Sequence, residues 1–168
     1  QGPKMLRLAS RIGDGILINA SSPKDFEYAM GIIKEAAGDR LKELDIVAYT
    51  AFSVDKDKGK ARKKALPIVA FIVAGSPDVV LERHGIDKGK AAEIREALGK
   101  GDFPGAMSKV TDDMMEAFSI YGTPEDCVAK IEELLKVGVT HVVFGSPLGA
   151  KKEPALRLII DEVIPSFK

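Results

Sequence analysis

Gly15-Ile16-Leu17-Ile18-Asn19-Ala20-Ser21-Ser22-Pro23-Lys24-Asp25 sets a short apolar run directly against a helix start. The run from Gly15 to Ala20 is nearly continuous in apolar residues, the pattern of a parallel strand covered on both faces. Ser22 then stands at the N-cap position, Pro23 at the first helical position and Asp25 in the first turn. That helix is predicted to run to about Ala37, where Gly38 stops it. Two more segments read as strands, Asp45 to Ser53 and Thr140 to Gly145, and each precedes a helix start. Strands alternating with helices predict a parallel α/β sheet.

The stretch from residue 54 to residue 139 is several times longer than one crossover helix needs. Helical patterns recur through it at Asp57 to Ala74, Pro77 to His84, Lys88 to Leu98 and Asp112 to Phe118. Thr123-Pro124-Glu125-Asp126 is a second capped helix start, followed by the stripe Val128, Ile131, Leu134 and Leu135, with Lys136 and Gly138 at the end. A last helix, from about Glu153 to Val163, ends before Pro165. Three strands are too few for an open sheet, because their apolar edges would stay unpaired. The helix Lys4 to Ile12 should also have a strand in front of it. The expectation is therefore an α/β chain that forms the C-terminal half of a (β/α)₈ TIM barrel, with a helical insertion between the last two strands. Residues 1–168 read as a single partial domain, with the insertion at about 55–122.

Composition narrows the partners. The 168 residues are 45% hydrophobic, enough for a core, and 25 basic side chains balance 25 acidic ones. No net field exists to draw in a nucleic acid or an anionic membrane. The longest apolar run, Ala65 to Ala74, is far short of the roughly 20 residues of a bilayer span. Gln1-Gly2-Pro3-Lys4 shows no signal-peptide pattern, and the lone Cys127 reads as a reduced, buried thiol, so a cytoplasmic setting is expected. The basic run Lys56, Lys58, Lys60, Arg62, Lys63 and Lys64 is diluted by Asp55 and Asp57 and reads as a solvated helix face. Leu66, Ile68, Val69, Phe71, Ile72 and Val73 surround one helix. They point either to burial within the subunit or to a homo-oligomer contact through Leu66 to Val73.

Barrel ligands sit at the carboxyl ends of the strands. Here that rim includes Gln1 to Met5, Asn19 to Ser22, Phe52 to Val54 and Gly145 to Leu148. A Gly2-Pro3 turn exposes backbone N–H groups at a helix start, which suits a phosphate, and Lys4 adds charge. The plainer readings stand beside this one: Gly2-Pro3 as a helix-start turn, Asn19 as a strand-end loop residue, Ser22 as an N-cap. His84 precedes Gly85 at a helix C-terminus, and His141 opens a strand away from the rim. Both read as structural, and no ligand cluster for a metal accompanies them.

The segment from Gln1 to Asn19, with Gly2-Pro3 and Gly13-Asp14-Gly15, resembles the helix-to-strand unit after the fifth barrel strand in the bacterial-luciferase-like superfamily. Further stretches resemble the methylenetetrahydromethanopterin reductases within it: Glu82-Arg83-His84-Gly85, Gly99-Lys100-Gly101-Asp102-Phe103, Gly122-Thr123-Pro124 and Gly145-Ser146-Pro147. The resemblance implies an oxidoreductase that reversibly reduces methylenetetrahydromethanopterin with the reduced deazaflavin coenzyme F-420. It implies coenzyme contacts at Gln1, Gly2, Lys4, Met5 and Asn19, and a tetrahydromethanopterin-type substrate. It places no catalytic residue in this chain, since the acidic groups near the chemistry belong to the other barrel half; turnover by the chain alone is not expected. A flavin-dependent monooxygenase of the same superfamily and a non-catalytic half-barrel are the alternative readings.

Overall fold

A computed structural model describes residues 2–167. Helix α1 (Pro3–Ile12) leads into strand β1 (Gly15–Asn19), followed by α2 (Pro23–Ala37), a 3₁₀ segment at Gly38–Glu43 and β2 (Asp45–Val54). Five helices come next: α3 (Lys58–Gly75), α4 (Asp78–Arg83), α5 (Lys88–Gly99), α6 (Phe103–Ser108) and α7 (Asp112–Phe118). A short β3 (Ile120–Gly122), α8 (Pro124–Lys136), β4 (His141–Leu148) and α9 (Lys152–Leu158) complete the order. The last helix widens into a π turn over Ile159–Val163 and closes at Ile164–Phe167.

All strand pairs are parallel. β1 and β4 both pair with the Val47–Tyr49 stretch of β2, so they lie on opposite sides of it. β3 pairs with Phe52–Val54 beyond the end of β1 and was not anticipated from the sequence. Each strand connects to its neighbour through helices, as in a barrel sector. Among the described residues the outer edges of β1 and β4 pair with nothing.

Burial alternates along β1. Ile16 and Ile18, with Ile46 and Ala48 beside them in register, are buried in a cluster with Leu6, Phe26, Ile33, Ile131 and Leu134 from the helices. On the other face Leu17 is 60% and Tyr49 41% exposed. The apolar run predicted cover on both faces; within this chain only the helix-side face is covered. Burying a side chain such as Leu17 would contribute about 1.5–3 kcal/mol, so the open face has a physical reason to acquire a partner layer.

The helices α3 to α7 build a second cluster of their own around Val69, Val73, Leu81, Ile94, Met114 and Met115. It is tied to the sheet by α3, where the buried Ser53 hydroxyl donates to the Ala61 carbonyl at 2.9 Å. Local chemistry sets the helix ends. Arg40 donates to the carbonyls of Ser10, Arg11 and Gly13 and so closes the C-terminus of α1. Ser22 occupies the N-cap position of α2, but its hydroxyl makes no capping bond, contrary to its sequence reading. Thr123 does cap: Asp126 N donates to its hydroxyl, and Thr123 N donates to the Asp126 carboxylate at 3.0 Å. Removing one half of such a reciprocal pair costs about 1 kcal/mol. Thr123→Ala is expected to lower the urea unfolding free energy by about that amount.

Candidate functional site

A cleft of about 420 Å³ opens where the N-terminus of α1 and the carboxyl end of β1 meet α2, α3 and α4. Its lining includes Gly2, Asn19, Asp25, Tyr28, Phe71 and Arg83. The volume lies within the range of about 300–1,000 Å³ typical of small-ligand sites. The structure thus brings Gly2 and Asn19 into one cavity. Lys4 and Met5 are exposed on α1 and stand outside the lining, and Gln1 lies outside the described residues.

Gly2 is informative because the fold does not require it. Its backbone is extended (φ −74°, ψ 163°), which any residue adopts, and a Cβ there would meet no atom within 4 Å. It caps α1 with no side chain, and the first turn carries no acidic residue. Among the described residues the N–H groups of Lys4 and Met5 meet no acceptor, since the first turn of a helix has no internal partners for its donors. An oxyanion such as a phosphate fits this donor set.

The polar wall is one that sequence reasoning missed. Asp25, on α2, receives Arg83 Nη1 at 2.5 Å on Oδ1 and lies 3.0 Å from His84 Nε2 through Oδ2. Arg83 also stacks on Tyr28, 4.1 Å from the ring centre. Burial opposes charge on Asp25, but the hydrogen bonds and charges of His84 and Arg83 outweigh it and hold the carboxyl below its ordinary value. His84 itself is 3% exposed and meets Phe118 edge-on at 5.3 Å between ring centres, so it sits behind the wall and braces it. The structural reading of His84 agrees with this position, but its reason differs from the helix-end one: the partner is a carboxylate 59 residues away. No local pattern marks such a pair in the sequence. His141 is exposed at the opposite end of the strands.

The basic run is neutralised where it meets the fold. Lys58 pairs with Asp126 at 2.9 Å and Arg62 with Asp112 at 2.6 Å. A second, more open hollow of about 650 Å³ lies between the end of β2, the start of α3 and α9. Its mixed lining of Lys56, Lys60, Lys151 and Arg157 with Asp55, Asp161 and Glu162 favours no one ligand sign. Burial pushes the Cys127 thiol up to about 12, so it carries no nucleophilic thiolate near neutral pH. Among the described residues no cluster of three or more His, Cys, Asp or Glu groups could hold a metal. None of the helices described is long and apolar enough to cross a membrane.

The sequence profile of the luciferase-like monooxygenase family matches residues 1–141. The chain belongs to that family. It is 60% identical over 171 residues to 5,10-methylenetetrahydromethanopterin reductase of Methanopyrus kandleri, covering 100% of this chain and 49% of that protein. The same-named protein of Archaeoglobus fulgidus is 52% identical over 177 residues, with 100% and 53% covered. The solved structure of the coenzyme F-420-dependent tetrahydromethanopterin reductase from Methanopyrus kandleri superposes with a TM-score of 0.97 at 58% identity, over 100% of this chain and 49% of that one. The chain thus spans about half the length of the curated relatives it matches. This chain has the fold of a luciferase-like half-barrel, which accounts for the edges of β1 and β4 that pair with nothing among the described residues and for the open face at Leu17 and Tyr49.

Proposed function

We propose that this half-barrel is the coenzyme-tail-binding part of an oxidoreductase that reversibly reduces methylenetetrahydromethanopterin to methyltetrahydromethanopterin with reduced coenzyme F-420. Relatives at 52–60% identity carry that reductase name. The observation that carries the reading to this chain is the uncapped start of α1, which shares one cleft with Asn19 and has a glycine that neither packing nor backbone conformation requires. The contacts assigned are Gln1, Gly2, Lys4, Met5 and Asn19, those of Lys4 and Met5 through the backbone. When bound, the deazaflavin would supply the hydride. This chain's residues would hold its phosphate-bearing tail and so fix where the ring can lie. No residue of the chain is given a catalytic role, and the chain alone is expected to bind weakly and turn nothing over.

Two further parts of the reading belong with it. A homo-oligomer contact through the Leu66 to Val73 stretch of α3 belongs to the reading; its Phe71, which also stands at the cleft, is exposed and lies 6.3 Å from the exposed Phe103 ring. A reducing, cytoplasmic setting suits the buried Cys127 thiol.

The test is a titration of the chain with coenzyme F-420 and, in parallel, flavin mononucleotide. Saturable binding of the deazaflavin and none of the flavin is expected. Gly2→Val should weaken deazaflavin binding at least about tenfold by filling the approach to the helix start, with the thermal midpoint unchanged because no protein atom is displaced. A preference for flavin mononucleotide, or full affinity in Gly2→Val, would overturn the reading.

A further inference from the structure

Arg83 is fixed in the cleft wall before any ligand arrives. One face of its guanidinium lies over Tyr28 and one nitrogen, Nη1, is taken by Asp25. A planar cation stacked on a ring and paired on one edge has already given up most of its rotamer freedom on folding. Its remaining donors, Nε and Nη2, have no acceptor among the described residues. The side chain keeps 21% of its surface exposed and contributes to the cleft lining, where it is the one basic group among the described residues. Asp25 also lines the cleft, but both its oxygens are occupied, Oδ1 by Arg83 and Oδ2 by His84. A ligand entering here therefore meets a guanidinium edge and not a bare carboxylate.

A fork of two N–H donors matches two oxygens of a phosphate or carboxylate. The geometry points to Arg83 as a second oxyanion contact in this cleft, on α4, separate from the α1 start and Asn19, for a phosphate or carboxylate carried by the coenzyme's tail. This rests on the deazaflavin reading above. The remaining walls near Arg83 are apolar, with Phe71, Ile72, Val79 and Val80. Two anion contacts on separate elements make the charge and reach of the tail, as well as the ring, part of what the site selects.

Arg83→Gln should weaken coenzyme F-420 binding about tenfold and leave binding of the deazaflavin lacking its phosphate-bearing tail unchanged. Because that variant leaves Asp25 without its nearest partner, the double variant Asp25→Asn, Arg83→Gln is measured beside it and should show the same loss. Inorganic phosphate, titrated while the Tyr28 ring protons are followed by NMR, should give a saturable shift in the wild-type chain and none in either variant. Equal coenzyme affinity in all three proteins overturns the proposal. If the wild-type chain binds no coenzyme F-420, the deazaflavin reading fails. The phosphate titration then decides Arg83 alone: a saturable Tyr28 shift lost in both variants upholds the oxyanion contact, and no saturable shift overturns it.

Discussion

Asp25→Ala is expected to destabilise the fold by about 3 kcal/mol, a fall of about 6–12 °C in thermal midpoint for a chain of this size. The side chain is only 10% exposed, and its two oxygens join α2 to the end of α4 through Arg83 and His84. Removing it leaves a largely buried imidazole and a guanidinium without their shared acceptor, and unpaired buried polar groups cost far more than the net worth of the bond that is lost. The exposed Arg157–Glu153 pair at 3.0 Å has nearly the same geometry and should contribute little, since both side chains are already solvated. Acid sensitivity gives a second readout. The folded Asp25 carboxyl titrates below its ordinary 3.8. Its contribution is therefore complete above 3.8 and is lost as the pH falls through the lower folded value. The gap in unfolding free energy between wild type and Asp25→Ala should shrink as the pH falls through that lower value. A gap unchanged by acid would rule out this assignment.

That latch shows where sequence reading stops. The frame was legible because its signals are local. Gly38, at φ 55°, ends α2 where a glycine was read as a stop, and Thr123 with Asp126 caps α8 as the spacing required. The strands followed from apolar runs between such stops. β3 was not legible: three residues, Ile120–Gly122, are too few to show a period, and only their pairing with Phe52–Val54 makes them a strand. α6 was not anticipated either: its start holds Pro104 and Gly105, poor helix formers, and the Asp102 side chain, accepting from Gly105 N at 2.9 Å, makes them a helix start. Gly2 and Asn19, which line one cleft, were legible as rim positions because each sits at the end of a predicted element. Asp25 was read only as a first-turn acid and Arg83 only as part of the Glu82 to Gly85 resemblance, since their meaning in the cleft lies in a contact across 58 residues. Ser22 shows the converse error: a residue type suited to capping occupied the right place, yet its hydroxyl does not cap.

Gly145→Ala is expected to cost about 3 kcal/mol or more, read as a lower urea midpoint with an unchanged slope. The pairing of β4 with β2 runs from Phe144 opposite Thr50 to Pro147 opposite Phe52, so Gly145 and Ser146 share the space facing Ala51. In that bulge a Cβ on Gly145 would collide with the Thr50 carbonyl oxygen and come within 3.1 Å of Tyr49 Cε1 and 3.3 Å of the Thr50 carbonyl carbon. Two of these three atoms are backbone of the central strand, which also carries β1 and β3 and has little freedom to retreat. The strain must therefore be taken up by β4, at the bulge between Phe144 and Pro147. Gly2→Ala is the matched comparison, since its Cβ would meet nothing within 4 Å and should leave stability unchanged. The two glycines thus separate by experiment: substitution at Gly145 should change folding, whereas substitution at Gly2 should change only what the cleft binds. Equal stability losses at the two positions would mean that the open space over Gly2 is filled by the protein itself, and the cleft would lose its claim to a ligand.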